Sequence, residues 1–290
     1  MKIPLFRLIL LACLGGLLLQ PANALSLDDL KKKLEKAKTR VEESKKKIDQ
    51  AQGKVSETEE IEIGGNLISG LLGAAPLVAD AELQRYVNDV GSWVALQTSR
   101  KHLPWHFGVI QSDGINAFAA PGGYIVITLG LFSLLENEAQ LAGVLAHEIA
   151  HVTRKHHLMA LQKTMKRDFW GDVMSRAASD AGDREKLKAL INSGVQLYAT
   201  GLDRRFEYDA DIRGVVLMAR AGYDPFAFLD VLTTIDSINP GSSELGVLLK
   251  THPPTAERLD RLAVGMDGVL DSFASGGINR ERFRQIGSNP

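Results

Sequence analysis

Hydrophobic and polar positions along this chain change period several times, and each change predicts a different element. Leu8–Leu19 is a continuous apolar run of 12 residues behind Lys2 and Arg7. From Leu27 to Val55 the apolar or small positions Leu27, Leu30, Leu34, Ala37, Val41, Ser44, Ile48, Ala51 and Val55 fall at alternating three- and four-residue steps between Lys and Glu residues. That spacing predicts a helix with a heptad seam. Ser44 and the alanines weaken the seam, so self-association through residues 27–55 and docking on the rest of the chain both stay open. Ile63–Ala79 carries no charge over 17 residues, yet Gly64, Gly65, Gly70, Gly73 and Pro76 predict a short packed helix and a break rather than a membrane crossing. Leu83, Tyr86, Val87, Val90 and Val94 predict an amphipathic helix over 80–99.

The signal turns to strands at Trp105–Ile110 and Ala117–Thr128, rich in β-branched and aromatic residues around a Pro121-Gly122-Gly123 turn. Helical spacing returns over 138–151, with Leu141, Val144, Leu145 and Ile149 on one face, and again after Arg204, through Ile212, Val215, Val216 and Met218. Between them, residues 158–200 have the length of a helical cap, with Met159, Met165, Phe169 and Trp170 read as core. Thr255 is expected to cap a helix holding Leu259 and Leu262. Many helices around a few strands make the expected fold class α+β.

The first of these helices ends in His147-Glu148-Ile149-Ala150-His151. Two imidazoles four residues apart lie about 40° apart on one helical face and can reach one metal ion, while the intervening carboxylate stands ready to take a proton from a water activated by that ion. Two residues compete as third ligand. His157 has the ten-residue spacing used by metzincins, but Arg154 stands where that pattern needs glycine, and a continuing helix turns His157 away. His156 falls on the opposite face. Glu207 is the stronger candidate, because Glu207 and Asp211 share one helical face and can act as ligand and as acceptor for the second N–H of a ligating histidine.

Together, HEIAH and the later Glu207-Tyr-Asp-Ala-Asp211 resemble the BepA/LoiP/HtpX-like minigluzincin zinc metallopeptidases, periplasmic relatives of the CAAX prenyl proteases. Further matches are Asn116-Ala-Phe-Ala-Ala-Pro-Gly-Gly-Tyr124 with Gly130-Leu131, Gly222-Tyr-Asp-Pro225, and His252-Pro-Pro-Thr255 with Arg258, in the expected order over about residues 64–265. The resemblance implies a helix-rich core with a small β-sheet beside a zinc cleft, one Zn2+ held by His147, His151 and Glu207, and Glu148 as general base in peptide-bond hydrolysis. It also implies a supporting role for Asp211 and substrate binding along Asn116, Ala117, Phe118 and Ala119. His252 is expected either to stabilise the oxyanion or to latch the open zinc position. The expected substrates are unfolded or misassembled envelope proteins. A periplasmic chaperone or assembly factor with a structural or latched zinc site is the competing reading.

Charge and composition add boundaries. Lys2, Arg7, the apolar run and Ala22-Asn23-Ala24 read as a signal peptide cleaved after Ala24, which predicts a periplasmic protein. Cys13 offers a lipid-anchored alternative, disfavoured by Leu11 and by the apolar run continuing past it. It is the single cysteine, so the mature chain would use neither disulfides nor a thiol nucleophile. Without the leader's two basic residues, 32 basic face 35 acidic ones, and no basic excess points to nucleic acid. Peripheral membrane association is a further expectation for a protein of the envelope. The expected organisation is a signal peptide over 1–24, an N-terminal helical segment over 25–60, a metallopeptidase domain over 61–270 and a C-terminal tail over 271–290.

Overall fold

A computed structural model of the chain describes residues 55–164 and 201–287. The expected leader, most of the heptad segment and most of the cap region lie outside the described residues. The chain divides into two units, Met1–Lys54 and Val55–Pro290, and the described residues all belong to the second.

Helix α1 (Glu57–Ala74) starts with a capping box, in which the Ser56 side chain accepts from the Glu59 amide and the Glu59 carboxylate accepts from the Ser56 amide. It therefore spans the expected boundary at residues 60/61, and it stops before Pro76. Asp80 caps α2 (Ala81–Ala95), whose Leu83, Val87, Val90 and Val94 are buried. Three strands follow, β1 (His106–Ile110), β2 (Ala117–Ala120) and β3 (Tyr124–Thr128), in the order β1-β3-β2. β1 runs parallel to β3 with Val109 opposite Ile127, and β2 runs antiparallel with Ala119 opposite Ile125. The β2–β3 turn needs its glycines: Gly122 has φ +81°, and a β-carbon there would stand 2.5 Å from the Ile61 α-carbon.

Next come α3 (Leu129–Leu134), α4 (Glu138–Arg154), α5 (His156–Thr164), α6 (Arg204–Ala221), α7 (Ala227–Ser237), α8 (Leu248–Thr251), α9 (Thr255–Met266) and α10 (Arg280–Gly287). The fold is α+β, with helices outnumbering the three strands among the described residues. Capped by Asn137, α4 runs through the centre and buries Leu141, Leu145 and Ile149 completely. Each such side chain contributes about 1.5–3 kcal/mol by leaving water. The sheet and α2, α6 and α7 pack around this helix, so its ordinary amphipathic stripe becomes a rod buried on nearly all sides.

Two expectations fail locally. Thr255 does not cap α9; its hydroxyl donates instead to Asp236 on α7, and Pro254 precedes the helix without a side-chain cap. Met159, read as core, is 40% exposed on α5. Within the segment expected as a C-terminal tail, α10 buries Phe283 against Phe132 and Tyr86. At the start of α4, the fully buried Glu138 accepts from Tyr86, Tyr223 and Asn279 at 2.8–2.9 Å and pairs with Arg282, tying that helix end to α2, to the turn after α6 and to α10.

Candidate metal centre

His147 and His151 lie in the last two turns of α4, and Glu207 lies in the first turn of α6, which crosses α4 beside them. Gly214 allows that crossing, because a β-carbon there would come within 3.2 Å of the His147 backbone nitrogen. The Nε2 atoms of His147 and His151 are 3.1 Å apart, and the Glu207 carboxylate oxygens stand 3.7 Å from His147 Nε2 and 3.5 Å from His151 Nε2. Ligand atoms on a tetrahedral ion with bonds of about 2.0–2.1 Å are separated by about 3.3 Å. The three side chains are thus gathered at coordination spacing. His252, from the C-terminal end of α8, brings Nδ1 to 2.5 Å from Glu207 Oε2. One donor atom each from His147, Glu207 and His252 lies within 4.8 Å of the others.

Comparison with known proteins places the chain in a family. A profile of peptidase family M48 matches residues 80–264, which include every residue named above. The chain belongs to peptidase family M48. It is 32% identical over 206 residues to the beta-barrel assembly-enhancing protease of Escherichia coli (strain K12), covering 69% of this chain and 42% of that protein. It is also 32% identical over 169 residues to the mitochondrial metalloendopeptidase OMA1 of Bos taurus, over 54% of this chain and 32% of that one. The corresponding match to mitochondrial metalloendopeptidase OMA1 of Arabidopsis thaliana is 28% over 162 residues, 56% of this chain and 31% of the relative. The chain therefore spans less than half the length of these relatives.

Charge in the M48 centre fits a divalent cation. Glu148, Glu207 and Asp211 are buried carboxylates, and Arg258 is the buried guanidinium among them, donating to Asp211 at 2.6 and 3.0 Å. Carboxylates in such surroundings require compensating positive charge. The two imidazoles respond differently, burial holding His151 well below its usual range. Burial works against a charge on His147, but the Asp211 and Glu207 carboxylates outweigh it and carry the ring up to about 9. Burial alone would raise Glu207, yet the facing imidazoles of His252, His151 and His147 hold it well below the usual carboxylate range. Burial pushes the Glu148 carboxyl up, partly opposed by His147 and His252. The donor set, two imidazoles and a carboxylate with excess negative charge around them, suits zinc.

Supporting groups surround these donors. Asp211, four residues after Glu207, accepts from His147 Nδ1 at 2.9 Å while Arg258 holds its oxygens. On the other side the helix does not continue as its sequence suggests. Lys155 ends α4 in the left-handed region at φ +59°, and α5 restarts at His156. That turn swings His156 and His157 back toward the centre, with ring centroids 5.1 and 5.4 Å from His151. The expectation of two histidines carried away on a continuing helix is therefore corrected. Lys155 is neither glycine nor asparagine, so composition gave no notice of the break. Lys155 is held by a 2.7 Å ion pair with the fully buried Glu60 of α1, a contact between residues distant in the chain.

A cleft beside the centre is lined by Asn116–Ala119, Glu148, His151, His157, Gly201, Leu202, Glu207, Thr251 and His252. Thus all four residues expected to bind substrate border the same space as Glu148. β2 forms an edge of the sheet among the described residues. Thr128 fixes its approach, donating to the Asn116 carbonyl and accepting from the Asn116 amide, each at 3.0 Å. The Asn116 side chain is 3% exposed, and neither its Oδ1 nor its Nδ2 finds a partner among the described residues. Buried amides without protein partners are uncommon, and this one borders the cleft, where water or a bound chain can reach it.

Proposed function

We propose that this M48 chain is a zinc-dependent endopeptidase that hydrolyses peptide bonds of unfolded or misassembled envelope proteins. The observation that carries the reading is the convergence of His147, His151 and Glu207 at coordination spacing beside the buried carboxylate of Glu148. Zinc at this site would supply Lewis acidity, making water nucleophilic near neutral pH and polarising a scissile carbonyl. Glu148 removes the proton of the attacking water and delivers it to the departing amine. Asp211 holds His147 in the tautomer that directs Nε2 toward the ion. Along the cleft, an extended substrate lies beside β2, and the Asn116 carboxamide offers an acceptor and a donor to its backbone, a mode of recognition with little dependence on side-chain sequence.

His252 acts as the latch of the open coordination position in this conformation, a reading supported by its place in the donor cluster with His147 and Glu207. Among the described residues no helix is long and apolar enough to cross a membrane. The signal peptide over 1–24 delivers the protein to the periplasm, where the beta-barrel assembly-enhancing relatives suggest its substrates. The heptad positions read from the sequence over 27–55 suit partner binding or self-association, while α1 and α10, packed through Glu60 and Phe283, belong to the catalytic body.

The test incubates purified mature protein and its Glu148→Gln, His252→Ala and Glu207→Gln variants with an unfolded protein such as reduced casein, with zinc content measured in parallel. Cleavage by the wild type, lost in Glu148→Gln at unchanged zinc content, is expected. His252→Ala should cleave faster if the latch reading is right; slower cleavage would assign it to the oxyanion. Glu207→Gln should lose zinc. A chain that binds zinc and suppresses aggregation, with no cleavage by the wild type or by His252→Ala, would instead be a chaperone or assembly factor.

A further inference from the structure

The two histidines at the centre are oriented by different means. His147 Nδ1 meets a carboxylate directly, Asp211 at 2.9 Å. His151 Nδ1 meets no carboxylate among the described residues; it faces Nδ1 of a second imidazole, His156, at 3.1 Å. The far nitrogen of that ring, His156 Nε2, stands 3.3 Å from Asp209 Oδ2. Asp209 is in turn held by Arg154 Nε at 3.0 Å and Arg213 Nε at 2.8 Å. His156 is 2% exposed, and its ring stacks on Phe206 with centroids 4.5 Å apart and planes 14° from parallel. Packing therefore fixes the ring plane, and the flanking groups fix which nitrogen carries the proton.

Counting protons along this line leaves one arrangement. A histidine that presents Nε2 as a lone pair to a metal ion carries its proton on Nδ1. Two Nδ1 atoms in hydrogen-bond contact share one proton, so His156 must accept at Nδ1 and bear its own proton on Nε2. That N–H lies on the side of the ring facing the Asp209 carboxylate, whose Oδ2 stands at ion-pair distance, 3.3 Å, and whose negative charge favours the proton there.

We propose that His156 is a positioning residue for the metal centre, relaying the orienting effect of Asp209 to His151 as Asp211 orients His147 directly. This rests on the reading of His151 as a zinc ligand. Three carboxylates at alternate positions of one helix, Glu207, Asp209 and Asp211, then serve three ends: ligand, remote orienter and near orienter. The left-handed Lys155 is what allows it, by re-aiming His156 after α4 has ended.

Zinc affinity of the purified full-length mature chain, measured by competition with a colorimetric chelator, tests the relay without recourse to activity. The melting temperature of each zinc-free protein is measured alongside. His156→Ala removes the acceptor and should weaken zinc binding about 10–100-fold. His156→Asn places a carboxamide oxygen where Nδ1 was and should recover most of that loss. Asp209→Asn preserves size at a partly exposed site, but its amide N–H reverses the preferred proton position on His156, so it should weaken binding although the fold is intact. Wild-type affinity in both Asp209→Asn and His156→Ala would overturn the proposal, as would equal losses in His156→Asn and His156→Ala. A loss of affinity that merely follows a fall in zinc-free melting temperature would also overturn it, assigning His156 to structure alone. Should the wild type bind no stoichiometric zinc, the metal-centre reading itself fails, an outcome distinct from all of these.

Discussion

Replacing Arg100 by methionine should destabilise the protein by about 3–5 kcal/mol, the cost of leaving one member of a buried ion pair behind. Glu60 on α1 is fully buried and accepts from four donors: Arg100 Nη1 at 2.7 Å, Arg100 Nη2 at 3.0 Å, Lys155 Nζ at 2.7 Å and the Gly122 amide at 3.3 Å. Arg100→Met keeps the aliphatic stem but removes two of those donors and one of the two cations. Arg100 Nη1 also donates to the Val152 carbonyl at 3.1 Å, so that carbonyl keeps only the Lys155 amide, also at 3.1 Å. Because Lys155 stays at 2.7 Å, the lower end, about 3 kcal/mol, is expected. At about 2–4 °C per kcal/mol for a domain of this size, the melting temperature should fall by about 6–12 °C. Urea denaturation followed by tryptophan fluorescence reports the change, since Trp105 Nε1 donates to the Arg100 carbonyl at 3.1 Å. Glu60→Gln in the same background removes the stranded charge, so the double variant should be more stable than the sum of the single losses by about 1–3 kcal/mol. A loss below about 1 kcal/mol in Arg100→Met, or strict additivity, would refute the argument that Glu60 depends on this guanidinium.

Other perturbations probe different joints of the same body. Gly214→Ala forces a methyl to within 3.2 Å of the His147 backbone nitrogen and should cost about 1–3 kcal/mol; thermal melting checks it, and an unchanged melting temperature would show that α6 is not held against α4 there. Phe283→Ala empties the site between Phe132 and Tyr86 and should cost about 3 kcal/mol, seen as faster amide hydrogen exchange in α10; unchanged exchange would show that Phe283 does not anchor the helix. Stripping zinc from protein saturated at about 1,000 times its dissociation constant removes about 4 kcal/mol, a drop of about 8–16 °C by calorimetry; identical melting with and without chelator would argue against a bound ion. Thr128→Val deletes the hydroxyl that bonds both backbone groups of Asn116 and should weaken an extended peptide inhibitor more than it weakens zinc, as read by isothermal titration.

Local rules explain what was legible along the chain. Period 3.6 marks α2, α4 and α6 because each places an apolar face on a core, and β-branched runs around Pro121-Gly122-Gly123 mark the strands. Spacing alone brings His147 to His151 and Glu207 to Asp211, because i and i+4 share a helical face whatever surrounds it. The sequence could not say that the two helices would cross with Glu207 opposite both imidazoles. That depends on the close approach at Gly214 and on packing from α2, α7 and the sheet. Nor could spacing reveal His156, because its position follows from a left-handed Lys155 held by Glu60, nearly a hundred residues earlier in the chain. Thr255 likewise stood where a cap belongs, but Asp236 on α7 took its hydroxyl. Periodicity reports which face of an element is buried; which charged groups meet there is decided by long-range contacts that leave no mark on any short stretch of residues.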